Sequence, residues 1–207
     1  MPDQEPVRFY FDPVCPWTWI TYCWLREVAD ARGFSVELRS FSLMHLAKLD
    51  GNEMPEQYRE RMIAGRDALR VFECLRKNGM GAQSHEFYED LGARWHVRDE
   101  PRSQETILAA ATALGASDEV AAACDNQEID ALLDASVHHA RVISGPDTGS
   151  PVIVTPNGRG FFGPVVSPAP TGADALKLWD AYCALTEIDG VWEIKRGRTD
   201  PPVIPVT

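Results

Sequence analysis

No stretch of this chain approaches the roughly 20 consecutive apolar residues that a membrane-spanning helix requires, so no transmembrane segment and no membrane partner are expected. The opening residues Met1-Pro2-Asp3-Gln4-Glu5 are acidic and carry no apolar core of the export-signal type, which leads to the expectation of a cytoplasmic protein. Basic residues are in short supply, 20 Lys and Arg against 31 Asp and Glu, for a net charge of −11. Nucleic acid and anionic lipid both need a basic surface, so neither is expected as a partner. There are 5 cysteines, an odd number scattered at positions 15, 23, 74, 124 and 183, which reads as a reduced protein and not as a disulfide scaffold. Internal repeats and low-complexity segments are absent too. What is present is ample core material. Hydrophobic residues are 44% of 207 positions, enough for one elaborated domain or a domain with an insertion.

The stretch Phe9-Tyr10-Phe11-Asp12-Pro13-Val14-Cys15-Pro16-Trp17-Thr18-Trp19 organises the rest. Val7, Phe9, Tyr10 and Phe11 are the β-branched and aromatic residues that strands favour. The strand breaks at Asp12-Pro13, and Pro16 suits a first helical position, where its missing N–H is not needed. From Trp17 to Ala31, Ile20, Trp24, Leu25 and Val28 recur at helical spacing, and Gly33 supplies a stop. Cys15 then stands at the N-cap, where unpaired N–H groups and the helix dipole favour thiolate over thiol. A cysteine so placed is a candidate nucleophile.

A second alternating strand, Ser35 to Phe41, completes a β-α-β unit, which implies two parallel neighbours in one sheet. From about Pro55 to Ile143 only helical signals appear. Pro55 to Asn78 carries Tyr58, Met62, Ile63, Leu69, Phe72 and Leu75. Ser84 to His96 places Phe87, Tyr88, Leu91 and Trp95 on one side. Ser103 and Ser117 open shorter helices. Asn126 to Ile143 directs Ile129, Leu132, Leu133, Ser136, Ala140 and Ile143 toward a core, with His139 near that face and His138 opposite. Pro151 to Val154 and Gly160 to Gly163 read as a hairpin, Thr171 to Leu185 as a last helix, and the proline-rich tail as extended. The order β-α-β, helices, β-β-α is that of a thioredoxin fold, in the α/β class, interrupted by a large all-helical insertion. The expected division is residues 1–43 and 147–207 as the thioredoxin-like domain and 44–146 as the insertion.

Cys15-Pro16-Trp17-Thr18 after a first strand, the helical insertion, and Gly149-Ser150-Pro151 opening the third strand resemble the DsbA-like branch of the thioredoxin superfamily. More narrowly, Phe11 to Trp17, Met54-Pro55-Glu56-Gln57-Tyr58-Arg59-Glu60 and Phe161-Phe162-Gly163-Pro164-Val165, with Lys177-Leu178-Trp179-Asp180, resemble the actinobacterial mycothiol-dependent nitroreductase family. The resemblance implies a cytoplasmic thiol-disulfide oxidoreductase with mycothiol as co-substrate, acting on disulfides or on electrophilic and nitroaromatic small molecules. It also implies a cis Ser150-Pro151 bond facing Cys15. One position departs from the pattern: the family carries Cys-Pro-Trp-Cys, and here the fourth residue is Thr18. Threonine cannot resolve a mixed disulfide, but its hydroxyl can donate to the Cys15 thiolate. Ser150 is a second departure, standing where many relatives carry a larger β-branched residue.

The expected site is therefore Cys15 and Thr18 as catalytic residues, with Pro16, Trp17, Ser150 and Pro151 binding the thiol or substrate. Two alternatives stay open at this level: a kappa-like thiol transferase or isomerase, and a non-catalytic thiol-binding or chaperone-like protein. Cys23 lies eight residues along the first helix from Cys15, about 12 Å at 1.5 Å per residue, too far to act as a resolving thiol. Trp17 reads as an aromatic wall beside the thiol, and Trp19 as either wall or core. His138 and His139 point about 100° apart on a helix, and neither they nor His45 or His96 is expected to bind a metal. Gly158-Arg159-Gly160-Phe161-Phe162-Gly163 matches G-x-G-x-x-G, but its strand-like centre makes it a hairpin and no dinucleotide site is expected. Monomer and homodimer are both compatible with the sequence.

Overall fold

The structure is a computed structural model that describes residues 5–51 and 56–205. The expected Met54-Pro55 part of the family motif lies outside the described residues. The element order is β1 (Val7–Phe11), α1 (Pro16–Arg32), β2 (Val36–Ser40), α2 (Leu43–Leu49), α3 (Glu56–Lys77) and α4 (Gly81–Gly92). There follow α5 (Gln104–Ala113), α6 (Asp118–Ala122), α7 (Asp130–Ser144), β3 (Val152–Val154), β4 (Gly160–Phe162) and α8 (Gly172–Glu187). By its contacts the chain forms two compact units. One holds the chain as far as Phe11, Pro16–Arg39 and Ala140 onward, and the other holds Asp12–Cys15 and Ser40–His139.

The first unit is built on a four-stranded sheet in the order β2-β1-β3-β4. β3 runs antiparallel to both neighbours, with Phe9 opposite Ile153 and Ile153 opposite Phe161. Val7, Phe9, Tyr10, Phe11, Val152, Ile153 and Val154 are all buried, as the near-continuous apolar runs of a covered sheet require. The G-x-G-x-x-G stretch is indeed a hairpin strand, and Gly160 is needed there. A Cβ at that position would stand 2.0 Å from the Ile153 carbonyl oxygen. α8 packs along α1. Trp24 Nε1 donates to the Ala175 carbonyl, and Trp179 stacks on Phe34 and Tyr182. The Tyr182 hydroxyl donates to the Ile153 carbonyl and accepts from Phe161 N, tying β3 and β4 to α8.

Among the described residues, the second unit contains helices and no strand between β2 and β3. Its core gathers Leu69, Phe72 and Leu75 of α3, Phe87, Tyr88 and Leu91 of α4, Trp95, Ile107 and Leu133, all at most 2% exposed. Arg70 is buried within it, held by a two-pronged bond to Asp130 at 2.7 and 2.8 Å and a bond to the Cys124 carbonyl at 2.8 Å. This geometry satisfies a guanidinium that burial alone would penalise.

Several expectations are corrected. The helix expected from Ser84 to His96 is α4 followed by a π-helical turn, Ala93–Val97. On α7 the buried stripe is Leu133, Val137 and Ala140, which leaves Leu132 43% exposed and His139 at the surface. Ile129, Leu133 and Ala140 are buried as expected, whereas Leu132 and His139 each stand one position, about 100°, round the helix from that stripe and so fall outside it. α2 was not foreseen. It is capped by Ser42, whose hydroxyl accepts from His45 N.

Candidate active site

The segment Asp12–Cys15 joins β1 to α1 and belongs by its contacts to the helical unit. Cys15 N donates to the Asp12 carbonyl at 3.1 Å, closing a tight turn. The Asp12 side chain, 1% exposed, is the centre of that turn. Its Oδ1 accepts from Val14 N at 3.0 Å, and its Oδ2 accepts from Leu43 N at 2.8 Å, the first residue of α2. Both bonds favour the ionised carboxylate. Loss of water outweighs them and pushes the carboxyl up to about 6.

Two further residues hold this turn. Gly65 lies inside α3, and a Cβ there would stand 2.9 Å from Asp12 Oδ1 and 3.1 Å from both Val14 methyls. Glycine lets the helix backbone approach that closely. His96, in the π-helical turn, sets its Nε2 2.8 Å from the Pro13 carbonyl oxygen. That oxygen can only accept, so Nε2 carries the hydrogen and donates. Burial pushes the His96 ring down to about 4, so it is neutral at physiological pH.

The other expected residues lie in the sheet unit. Pro16 is the first residue of α1, as its ring requires, and Cys15 immediately precedes it. Thr18 is fully buried, and its Oγ1 lies 2.8 Å from the Oγ of Ser150, itself 6% exposed. The Ser150-Pro151 bond is cis. Trp17 is half-buried, whereas Trp19 is 2% exposed and packs against Tyr22, which makes Trp19 core and not wall. All five cysteines are free thiols. Burial pushes Cys124 up to about 12 and raises Cys183, so neither is a nucleophile. Among the described residues no cluster of His, Cys, Asp and Glu could hold a metal ion. Among the described residues no helix is long and apolar enough to cross a membrane.

Thr18 and Ser150 are thus brought together by a direct side-chain bond 132 positions apart in sequence. The supports that sequence reasoning missed are Asp12, Gly65 and His96. Asp12 had a visible signal, an acid wedged between a buried strand and Cys15. Gly65 and His96 had none, because their partners are set by packing of distant segments.

Residues 14–196 match the family described as Rv2466c-like, mycothiol-dependent nitroreductase Rv2466c. The chain belongs to this family. Membership in the Rv2466c-like family places it among thiol-dependent oxidoreductases. It is 26% identical over 215 residues to the Mycobacterium tuberculosis protein Rv2286c, described as uncharacterized, with 95% of this chain and 84% of that protein covered. Its structure resembles that of the probable DsbA oxidoreductase SCO1869 from Streptomyces coelicolor, with a TM-score of 0.59 at 16% identity over 98% of this chain and 99% of that one. It also resembles the cytosolic disulfide reductase DsbM from Pseudomonas aeruginosa, with a TM-score of 0.54 at 16% identity over 87% of this chain and all of that one. At these identities the likeness speaks for the fold, a DsbA-like thioredoxin fold. The family match takes in Cys15, Thr18, Ser150 and Pro151 and stops short of both Asp12 and Arg198.

Proposed function

We propose that this member of the Rv2466c-like family is a single-cysteine oxidoreductase that works with mycothiol. The observation that carries the reading is the first turn of α1: Cys15 precedes its first residue, and the position three further on holds Thr18, not a second thiol. The Cys15 thiolate attacks one sulfur of a substrate disulfide. A new S–S bond forms to Cys15, the old S–S bond breaks, and the other half leaves as a thiolate. With no neighbouring thiol, resolution comes from solution. The thiolate of mycothiol attacks the sulfur bound to Cys15, restores the Cys15 thiolate and leaves joined to that sulfur as a new disulfide. The proton lost by mycothiol balances the one taken up by the first leaving group.

Cys15 and Thr18 are the catalytic residues on this reading. The N-terminus of α1 favours the anionic sulfur both as nucleophile and as leaving group. Thr18 and Ser150 hold one another, and Pro16, Trp17, Ser150 and Pro151 form the surface that binds the low-molecular-weight thiol or the substrate. The acceptors on this reading are disulfides or electrophilic and nitroaromatic small molecules, the latter in keeping with the family description. Thr18 also favours one alternative, a kappa-like transferase in which Cys15 never enters a disulfide.

The deciding experiment is the mass of the protein after incubation with oxidised mycothiol, beside Cys15→Ser and Thr18→Cys. One mycothiol adduct on the wild type, none on Cys15→Ser, and an adduct lost by internal disulfide formation in Thr18→Cys are expected. A wild type without adduct, whose Cys15 alkylates at the rate of an ordinary thiol, would overturn the reading.

A further inference from the structure

Trp17 is covered by a residue from the far end of the chain. Residues 191–205 run without helix or strand. Within them Lys195, Arg196 and Arg198 fall in four consecutive positions, a basic run in a chain of net charge −11. Among the described residues none of the three enters an ion pair, whereas Arg32 pairs with Asp180 and Arg159 with Asp189. Arg198 sets its guanidinium carbon 5.0 Å from the centroid of the Trp17 ring. Beyond it, Val203 N donates to Ser167 Oγ at 2.8 Å and fixes the segment. Arg198 is exposed and Trp17 half-buried, so this contact lies within reach of solvent.

Such a contact is attractive because the ring face is electron-rich. At an exposed site it shifts populations by only roughly two- to fivefold, so a ligand can displace it. A flat aromatic ring stacks on indole at least as well as a guanidinium does. A negative substituent on that ring would give the displaced Arg198 an ion pair. A neutral ring would gain the stacking and forfeit the guanidinium contact with nothing in return.

We propose that Trp17 and Arg198 form a recognition site for a planar aromatic acceptor bearing a negatively charged group, with Arg198 the residue that sets this preference. The inference rests on the reading above, in which Cys15, two residues from Trp17, is the reacting group.

The test is equilibrium binding, measured by titration calorimetry on the full chain carrying Cys15→Ser. Turnover plays no part in it, so it stands or falls separately from the redox cycle. The probes are naphthalene-2-carboxylate and its neutral isostere naphthalene-2-carboxamide. The carboxylate is expected to bind roughly fivefold more tightly, the upper end for an exposed charge pair. Added Arg198→Ala should bring the two probes to equal affinity, Arg198→Lys should retain part of the preference, and Trp17→Ala should weaken both. Circular dichroism verifies that each variant is folded. Equal affinities before Arg198 is changed, a preference that survives Arg198→Ala, or no binding of either probe overturns the proposal.

Discussion

Asp12→Asn should make the protein more stable at neutral pH and less reactive. Burial raises the Asp12 carboxyl from the usual range near 4 to about 6. An acid whose folded-state pKa is raised contributes stability that is complete below its unfolded pKa and is lost as pH rises through the folded one. The loss sums to about 3 kcal/mol by pH 7.5, at 1.36 kcal/mol for each pH unit. Asparagine mimics the protonated acid in shape and in hydrogen bonding, so the two proteins converge in acid. Between pH 4 and pH 7.5 the difference in unfolding free energy should open by about 2 kcal/mol or more in favour of Asn. Urea unfolding measures it, as a midpoint shift of roughly 1 M for an m-value near 2 to 3 kcal/mol/M. His96, pushed down to about 4, titrates in the same window but is common to both proteins and cancels in the difference. The function runs the other way. An amide offers one acceptor where Asp12 offers two, so either Val14 N or Leu43 N loses its partner and the Cys15 turn loosens. Mixed-disulfide formation should then slow even as the midpoint rises. A stability difference that does not change with pH, or a variant less stable than wild type at pH 7.5, would refute the reasoning.

The remaining predictions concern the surroundings of that turn. Thr18→Val removes the Thr18–Ser150 hydrogen bond and should cost about 1 kcal/mol, and a double-mutant cycle with Ser150→Ala should return a coupling of about 1 kcal/mol by thermal or urea unfolding. His96→Ala removes the donor to the Pro13 carbonyl, with a loss of about 1–3 kcal/mol for the unpaired oxygen before any cavity term. A His held neutral by burial loses stability as pH falls from its ordinary value through about 4, so this variant should also show a shallower acid limb in the stability profile. In timed alkylation at pH 8 followed by peptide mass mapping, Cys15 should react first and Cys124, pushed up to about 12, last. Early labelling of Cys124 would mean that its helix opens far more readily than its burial implies.

The β-α-β and β-β-α pieces could be read from the chain because each carries its own local pattern. Val7 to Phe11 is a buried strand by composition, Pro16 marks the start of α1, and Gly33 ends it with a left-handed φ of 71°. Cys15 was legible for the same reason, since a helix start can be read from adjacent residues. The π-helical turn at Ala93–Val97 was not, because nothing in Ala-Arg-Trp-His-Val departs from ordinary helical spacing. Tertiary packing selects the wider turn and with it the direction of His96. In and just before α7, Ile129, Leu133 and Ala140 were legible as core, but Leu132, about 100° round the helix from Leu133, is an apolar residue outside the stripe that composition alone does not set apart. Thr18 and Ser150 were each singled out, but their bond was beyond reach, since it depends on how a helix start and a strand start 132 residues apart are brought together.

Gly65 has a consequence for comparing and engineering related chains. Inside a helix of 22 residues, glycine forgoes about 1 kcal/mol of propensity relative to alanine, and replacing it is a standard stabilising change. Here the added methyl would press on Asp12 Oδ1 and Val14, so the helix would gain at the expense of the turn that carries Cys15. The glycine thus records, in a segment 50 positions from Cys15, how that cysteine is carried. A relative with a side chain at this position must seat its Asp-Pro-Val turn differently, and alignments can be sorted by that one letter before any of their structures is known.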